Sequence, residues 1–468
     1  MSASSSSAFR QARHCEGVAE AILARVRNPT LDAASMDQLR VVIADALVNA
    51  VLAGGSPASR SADALAGAAV SGPASVIGSP EGVGVEAAVL ANSLRVHAIL
   101  QDDSHPGTML HPGAIVLPVA LAVAQERGAS TAQFLSAVVA GYEAMVLIAA
   151  PVAERAARRG LRNTTLFGPV GAAIAAGTIF GLDDRRLTAA ILIASGAAGG
   201  TLAPLTLGSP EWRCQPGLAA TSGLAAARLA AALDPEMLAA MRADTIEGSH
   251  GLYATLVGED VDWAAALDAI GSPVLTGITH KLHSTCGANQ VPVAALSRIM
   301  TRDGIEFSDI SSVDVYLPPM SLDYPGTEDR GPFVGDGVYM SRPLALAALA
   351  LGDGAALTRA SFDAALVDSR LESAFAMITS HPLRPGDSMH PQAAKVVVSL
   401  KDGREVSADD SDIDPDILRP DLDAVLSKLT GRIATVAVDD FGAVIRALPH
   451  TTIDDLFAPL RATEGARA

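Results

Sequence analysis

Rings and charges are scarce in this chain. Of its 468 residues, 4% are Phe, Trp or Tyr and 18% are charged, where an average globular protein is about 25% charged. A β-sandwich leans on aromatic and β-branched side chains, so the shortage of rings points instead to closely packed, small-residue helices. Basic runs are missing too: 34 Lys and Arg face 51 Asp and Glu, a net charge of −17. Without clustered cations to neutralise phosphates, nucleic acid is excluded as a partner. The acidic surplus reads as a solvated surface. Cysteine is nearly absent. Cys15, Cys214 and Cys286 are odd in number and far apart, which gives neither a disulfide framework nor metal-ligand spacing. A reducing compartment, the cytoplasm, is expected. The start, MSASSSSAFRQARHCEG, lacks the apolar segment of a secretory signal and is expected to be frayed.

Two uncharged runs, Thr164–Leu182 and Leu187–Pro210, approach bilayer-spanning length. They are rich in Ala and Gly and are interrupted by Pro169, Pro204 and Gly199-Gly200. No Lys/Arg-rich loop supplies an orientation signal. They are expected to be buried helices of a core, with no membrane partner.

What the chain does have is helical periodicity. It predicts helices over Met36–Ala53, Glu86–Leu100, Ala114–Gln125, Thr131–Ala157, Gly171–Gly181, Arg186–Ala194 and Ser222–Leu233. The texture changes after about Ile270. Ser312–Leu317 alternates like a strand, and Lys395–Ser407 reads as a hairpin turning at Asp402-Gly403. Helices are expected between them at Val291–Met300 and Leu344–Leu351, and again from about Asp421. The expected fold is mainly α: a helical domain over 1–268, a smaller α+β lid over 269–408, and C-terminal helices over 409–468 that return to the first domain.

Against so apolar a background, three clusters of chemistry-bearing residues stand out. The first is Asp102-Asp103-Ser104-His105-Pro106-Gly107 with His111-Pro112-Gly113. Carboxylates and imidazoles are the groups that general acid–base work needs, and a Pro-Gly turn holds them firmly. The same acids also suit plain helix capping. Asp and His can bind metals, but the spacing fits no standard metal site. The second cluster is Thr279-His280-Lys281-Leu282-His283-Ser284-Thr285-Cys286 at the domain junction. A cleft lysine there can act as acid, base or carboxylate anchor, or the segment can be a solvated hinge. Cys286 with His283 matches no thiol-enzyme signature. The third is Trp212-Arg213-Cys214-Gln215, where Arg213 is either a bidentate carboxylate clamp or a surface residue.

At these residues the chain resembles the MmgE/PrpD family, which contains 2-methylcitrate dehydratase, cis-aconitate decarboxylase and iminodisuccinate epimerase. The similar segments are collinear: VVIADALVNAVLAG (41–54), AAVLANSLRVHAILQDDSH (87–105), HPGAIVLPVALAVAQERG (111–128), AVVAGYE (137–143), FGPVGAAIAAGTIFGLD (167–183), QPGLAATSGLAAARLA (215–230) and IEGSHGLY (246–253). The resemblance implies a large helical domain, a smaller lid, an active site between them and a homodimer. It places Asp102, Asp103, Ser104, His111 and Lys281 in the family's active-site positions. Other positions depart from the pattern. Leu100 stands where the family has Asp, Arg162 where it has His, Trp212-Arg213 at its Lys, and Leu344 at its lid Tyr, while its lid His falls near Cys286.

Together these readings predict a cofactor-independent, metal-free lyase acting on a small carboxylic acid by α-proton abstraction and β-elimination. Isomerisation or decarboxylation on the same scaffold, and a non-catalytic acid-binding protein, are the alternatives. His111 and Lys281 are the expected acid–base pair, with His105 or His283 as a second proton carrier and Asp102 in support. Asp103, Ser104, Arg162, Arg213 and Cys286 are the expected substrate contacts.

Overall fold

The structure, a computed structural model, describes residues 17–461 except 28–31, 80, 259–260, 272, 334–336, 353, 355–356, 385–391, 410–417 and 431–437. Cys15 and the serine-rich start lie outside the described residues. The first layer is helical: α1 (Ala33–Leu52), α2 (Val85–His97), α3 (Gly113–Arg127), α4 (Thr131–Ala149), α5 (Asn163–Ile179), α6 (Asp184–Ser195) and α7 (Cys214–Ala232). Side-chain caps start several of them. Asp32 accepts from the Ser35 N–H, Asp183 from Arg186, and Ser130 forms a reciprocal capping box with Gln133.

Small residues let these helices approach where rings could not. A Cβ on Gly141 of α4 would lie 2.9 Å from the Gly171 carbonyl of α5, and a Cβ on Gly171 would lie 2.9 Å from the Gly141 carbonyl. Helices α3, α4 and α5 are buried on nearly every face, which is why their sequences read as apolar all round. Among the described residues, α4 is long and apolar enough to cross a membrane, yet 83% of its apolar window is buried inside the protein.

The structure is mainly α with a small α+β part, and it corrects several expected boundaries. The helix expected over Thr131–Ala157 breaks after Ala149, at Pro151, and resumes at Ala153–Arg158. The helix expected from Gly171 already starts at Asn163 and continues through Pro169. The one expected to reach Leu100 stops at His97, because Leu100 adopts a left-handed backbone with φ 51°.

The second layer holds α8 (Gln290–Asp303), α9 (Arg342–Leu351) and a four-stranded sheet. Its strands are β1 (Ile310–Leu317), β2 (Ile378–Pro382), β3 (Lys395–Leu400) and β4 (Glu405–Asp409), in the order β2-β1-β3-β4. Strands β1 and β2 are parallel, with Val313 opposite Ile378; β3 and β4 form the antiparallel hairpin, with Gly403 of its turn at φ 90°. Val313, Val315 and Leu317 point into this layer's own apolar core, with Leu346 and Leu349 of α9. Helices at Leu422–Ser427, Val438–Arg446 and Ile453–Arg461 bury Val425, Phe441 and Phe457 against the first layer.

Candidate active site

Residues 98–112, between α2 and α3, form a loop facing the second layer. Two non-glycine residues in it, Leu100 and Met109, have left-handed φ of 51° and 55°. Such backbone persists only where its surroundings over-determine it, and here they do. Asn49 Nδ2 donates to the Gln101 carbonyl at 3.0 Å. Ser104 and Thr279 exchange two backbone hydrogen bonds of 2.7 Å each, which sew the loop to the junction segment. Asp103 accepts from the Gly113 N–H at 2.9 Å and from the Tyr142 hydroxyl at 2.7 Å. Burial raises its carboxyl to about 7.

Asp102 is the hub of a buried polar chain. Its Oδ2 accepts from His97 Nδ1 at 2.7 Å, and its Oδ1 faces Lys281 Nζ at 3.4 Å. Burial alone would raise the Asp102 carboxyl, but the His97 and Lys281 partners hold it well below the carboxylate range. Burial, aided by the charges of Arg162 and Lys281, lowers the His97 imidazole to about 4. His97 is therefore neutral near pH 7. Its Nδ1–H donates to Asp102, and its Nε2 accepts from Arg162 Nη2 at 2.6 Å, so its partners assign the tautomer.

His111 opens α3. Its Nδ1 lies 2.8 Å from the Asp103 carbonyl oxygen. A carbonyl only accepts, so Nδ1 carries the hydrogen and Nε2 keeps its lone pair. Ser104 Oγ and Lys281 Nζ stand 3.1 and 3.5 Å from the same Nδ1. Burial, then the Lys281 charge, pushes His111 well below the imidazole range. It is half-buried and lines two adjoining cavities. This is an uncharged base with a fixed tautomer beside a buried amine.

The inner cavity, about 450 Å3, meets His111, Arg162, Lys281, Thr164 and Leu100. The outer one, about 550 Å3, meets Ser104, His105, His111, Met320 and Gln392. Cys286 lines both, and burial raises its thiol. A third hollow of about 700 Å3 continues outward past Met109 and Tyr324, which line all three. His105 donates to or accepts from Thr108 Oγ1 at 2.8 Å, and burial lowers it to about 4.

Two expected substrate contacts, Asp103 and Arg213, and one expected proton carrier, His283, do not line these cavities. Asp103 spends its oxygens on Gly113 and Tyr142. Arg213 donates from Nε to the Ala98 carbonyl at 2.7 Å and stacks 4.4 Å over the Trp212 ring. His283 accepts the Leu357 N–H at Nδ1, 3.2 Å away. Arg162, by contrast, reaches the inner cavity while donating to the Trp212 carbonyl and to Gln215 Oε1.

Four participants were missed in the sequence reading. His97 had a signal, five residues before Asp102 on the helix that ends there. Tyr142 lies inside the AVVAGYE segment. Thr164, whose Oγ1 accepts the His111 N–H at 3.2 Å, and Tyr324, in an irregular stretch after β1, had none. Behind Lys281, Asp45 of α1 pairs with Lys428 at 2.5 Å and with His280 at 3.2 Å. That pairing anchors the backbone one residue before the amine. Among the described residues, no three His, Cys, Asp or Glu side chains cluster as metal ligands.

The profile of the MmgE/PrpD N-terminal domain matches residues 21–264, more than half of the chain. A cis-aconitate decarboxylase-like protein of Aspergillus oryzae is 33% identical over 164 residues, covering 33% of this chain and 34% of that protein. The chain thus aligns with about a third of that relative's length.

Proposed function

This chain belongs to the MmgE/PrpD family, and we propose that it is a lyase that takes a proton α to a carboxylate and expels a β-hydroxyl as water. The observation that carries the reading is His111. It is held neutral, its tautomer is set by the Asp103 carbonyl, and its Nδ1 stands 3.5 Å from the Lys281 amine.

In the proposed reaction the substrate carboxylate lies in the inner cavity against Lys281, with the Arg162 edge beside it. His111 Nε2 takes the α-proton. The electron pair moves onto the carboxylate, where Lys281 stabilises the developing charge. Asp102 and His97 hold Lys281 and Arg162 in place. The pair then returns to form the carbon–carbon double bond as the β C–O bond breaks. Tyr324 gives the departing oxygen its proton, and water returns the proton from His111 to Tyr324. Burial raises the Tyr324 phenol above its ordinary value, which keeps it protonated until that moment. Tyr324 would thus stand in for the lid tyrosine that Leu344 replaces.

His111→Ala and Lys281→Ala are each expected to lower kcat/KM for a hydroxy acid by about 10²- to 10⁴-fold, the usual span for a positioned proton-transfer group. Tyr324→Phe is expected to lower kcat. Unchanged turnover in both alanine variants would sink the assignment.

Decarboxylation is the second reading, supported by the name of the A. oryzae relative. Incubation with a panel of organic acids and mass detection separates the reactions. Loss of water supports the lyase proposed above, and loss of carbon dioxide supports decarboxylation. Solvent deuterium at one carbon of unchanged substrate supports isomerisation, and tight binding without turnover supports a non-catalytic role. The proposal includes a homodimer in the cytoplasm; a sedimentation mass equal to one chain removes the dimer.

A further inference from the structure

We propose that the substrate is a monocarboxylate carrying an apolar arm, not a compact tricarboxylate. This rests on reading the cavity around His111 as the substrate site.

The first observation is the charge balance. Among the described residues lining the inner cavity, Lys281 and Arg162 are the two cations. Asp102 is ion-paired directly behind Lys281, at 3.4 Å, and cancels one of them. The imidazoles of His97 and His111 add no charge near pH 7. The balance is one positive charge, enough for one carboxylate. Three of the five Arg162 N–H groups are already engaged, because its Nη1 donates to Trp212 and Gln215 and its Nη2 to His97. A further carboxylate would be buried unpaired, which binding energy does not offset.

The second observation is the wall and the mouth. Beyond the amine, Leu100, Leu161, Leu205 and Met340 share the inner cavity with Asn163 and Thr164, and the sections farther out are the predominantly apolar ones. The way out runs between Met109 and Tyr324, which line every section, to Met320, Pro319 and Pro325. At the mouth, Arg158 is paired with Glu154, and Asp323 adds a further acid. The rim therefore offers no surplus positive charge to a second carboxylate at the far end. A head group at Lys281 and an alkyl or aryl arm along the methionines satisfies both the charge and the wall.

The experiment is calorimetric titration of the whole protein with saturated, unreactive acids: propanoate through octanoate, and tricarballylate. Kd is expected to tighten about fourfold per added methylene, as each buried CH₂ should give, and tricarballylate should bind more weakly than butanoate. Met320→Asp should abolish the length dependence. Met320→Ala, with circular dichroism of both variants, tests the same contact without a new charge and should reduce the increment. Lys281→Met should weaken all the acids.

A flat length series, tricarballylate binding tighter than octanoate, or no binding by any acid overturns the proposal. None of these readouts needs turnover. The expected series without turnover of any hydroxy acid defeats the lyase reading alone, whereas turnover of a hydroxytricarboxylate with a flat series defeats this proposal alone.

Discussion

Asp103 offers the sharpest test of the electrostatics. It is 2% exposed, and burial raises its carboxyl from 3.8 to about 7. Between those values the folded protein binds a proton that the unfolded chain has lost. By linkage, stability then falls as pH rises through that window, and the contribution is fully present only below the unfolded value. A displacement of about three units corresponds to roughly 4 kcal/mol of destabilisation once pH exceeds 7. At pH 5 the same group costs about 1.7 kcal/mol, so the change from pH 5 to pH 8 is about 2–3 kcal/mol. Asp103→Asn removes the charge and can keep both partners: its oxygen accepts from Gly113 N–H and its amide donates to the Tyr142 oxygen. Urea unfolding of wild type and variant at the two pH values gives a double difference. That difference cancels the titrating groups that do not interact with Asp103 and any fixed cost of the substitution. It should favour the variant at pH 8 by about 2–3 kcal/mol more than at pH 5. Equal differences at the two pH values would refute a raised Asp103.

Four further outcomes are expected. Since burial and the Lys281 charge hold His111 well below the imidazole range, the acid limb of kcat/KM should lie below pH 6.5, the usual imidazole value. The residual activity of Lys281→Met should show that limb moved upward, and an unmoved limb means the amine's charge is not felt at His111. Lys428→Met leaves Asp45, which is wholly buried, facing His280 alone; urea unfolding should show a loss of about 3–5 kcal/mol, and a negligible loss means the pair is not structural. Gly171→Ala places a Cβ 2.8 Å from Met145 Cβ and 2.9 Å from the Gly141 carbonyl, so Tm should fall by an amount equivalent to about 1–3 kcal/mol; an unchanged Tm means α4 and α5 can move apart freely.

The helical layer was legible because its signal is local. Small apolar runs read as buried helix, which holds for α3 to α5, whereas the run from Leu187 is helical only to Ser195 and then exposes Gly196 and Ala197. The boundaries were less legible. Pro169 reads as a stop, yet α5 runs through it, because tight packing on α4 and α7 holds the helix together despite one lost backbone bond. The candidate site was legible in its residue types, since Asp102, His111 and Lys281 are conspicuous in so charge-poor a chain. Which arginine reaches the cavity was not legible. Arg162 and Arg213 look alike in sequence, and only the Ala98 carbonyl and the Trp212 ring, brought there by distant packing, turn Arg213 away. Tyr324 follows no periodic pattern, so only the folded chain places its phenol in the cavity.

The stitching between the loop and the junction segment has a consequence for how the protein comes into being. Thr279 and Lys281 meet Ser104 and Asp102 across 175 and 179 residues of chain. The amine reaches its carboxylate only once the chain has come back across the helices that precede it. Contacts of such long range close slowly, because the loop entropy is lost before the contact is gained. During synthesis or refolding, helical content therefore returns well before a competent base and amine stand side by side. In that interval the left-handed backbone at Leu100 and Met109 has little to hold it. Catalytic competence thus depends on contacts that close later than those within the individual helices.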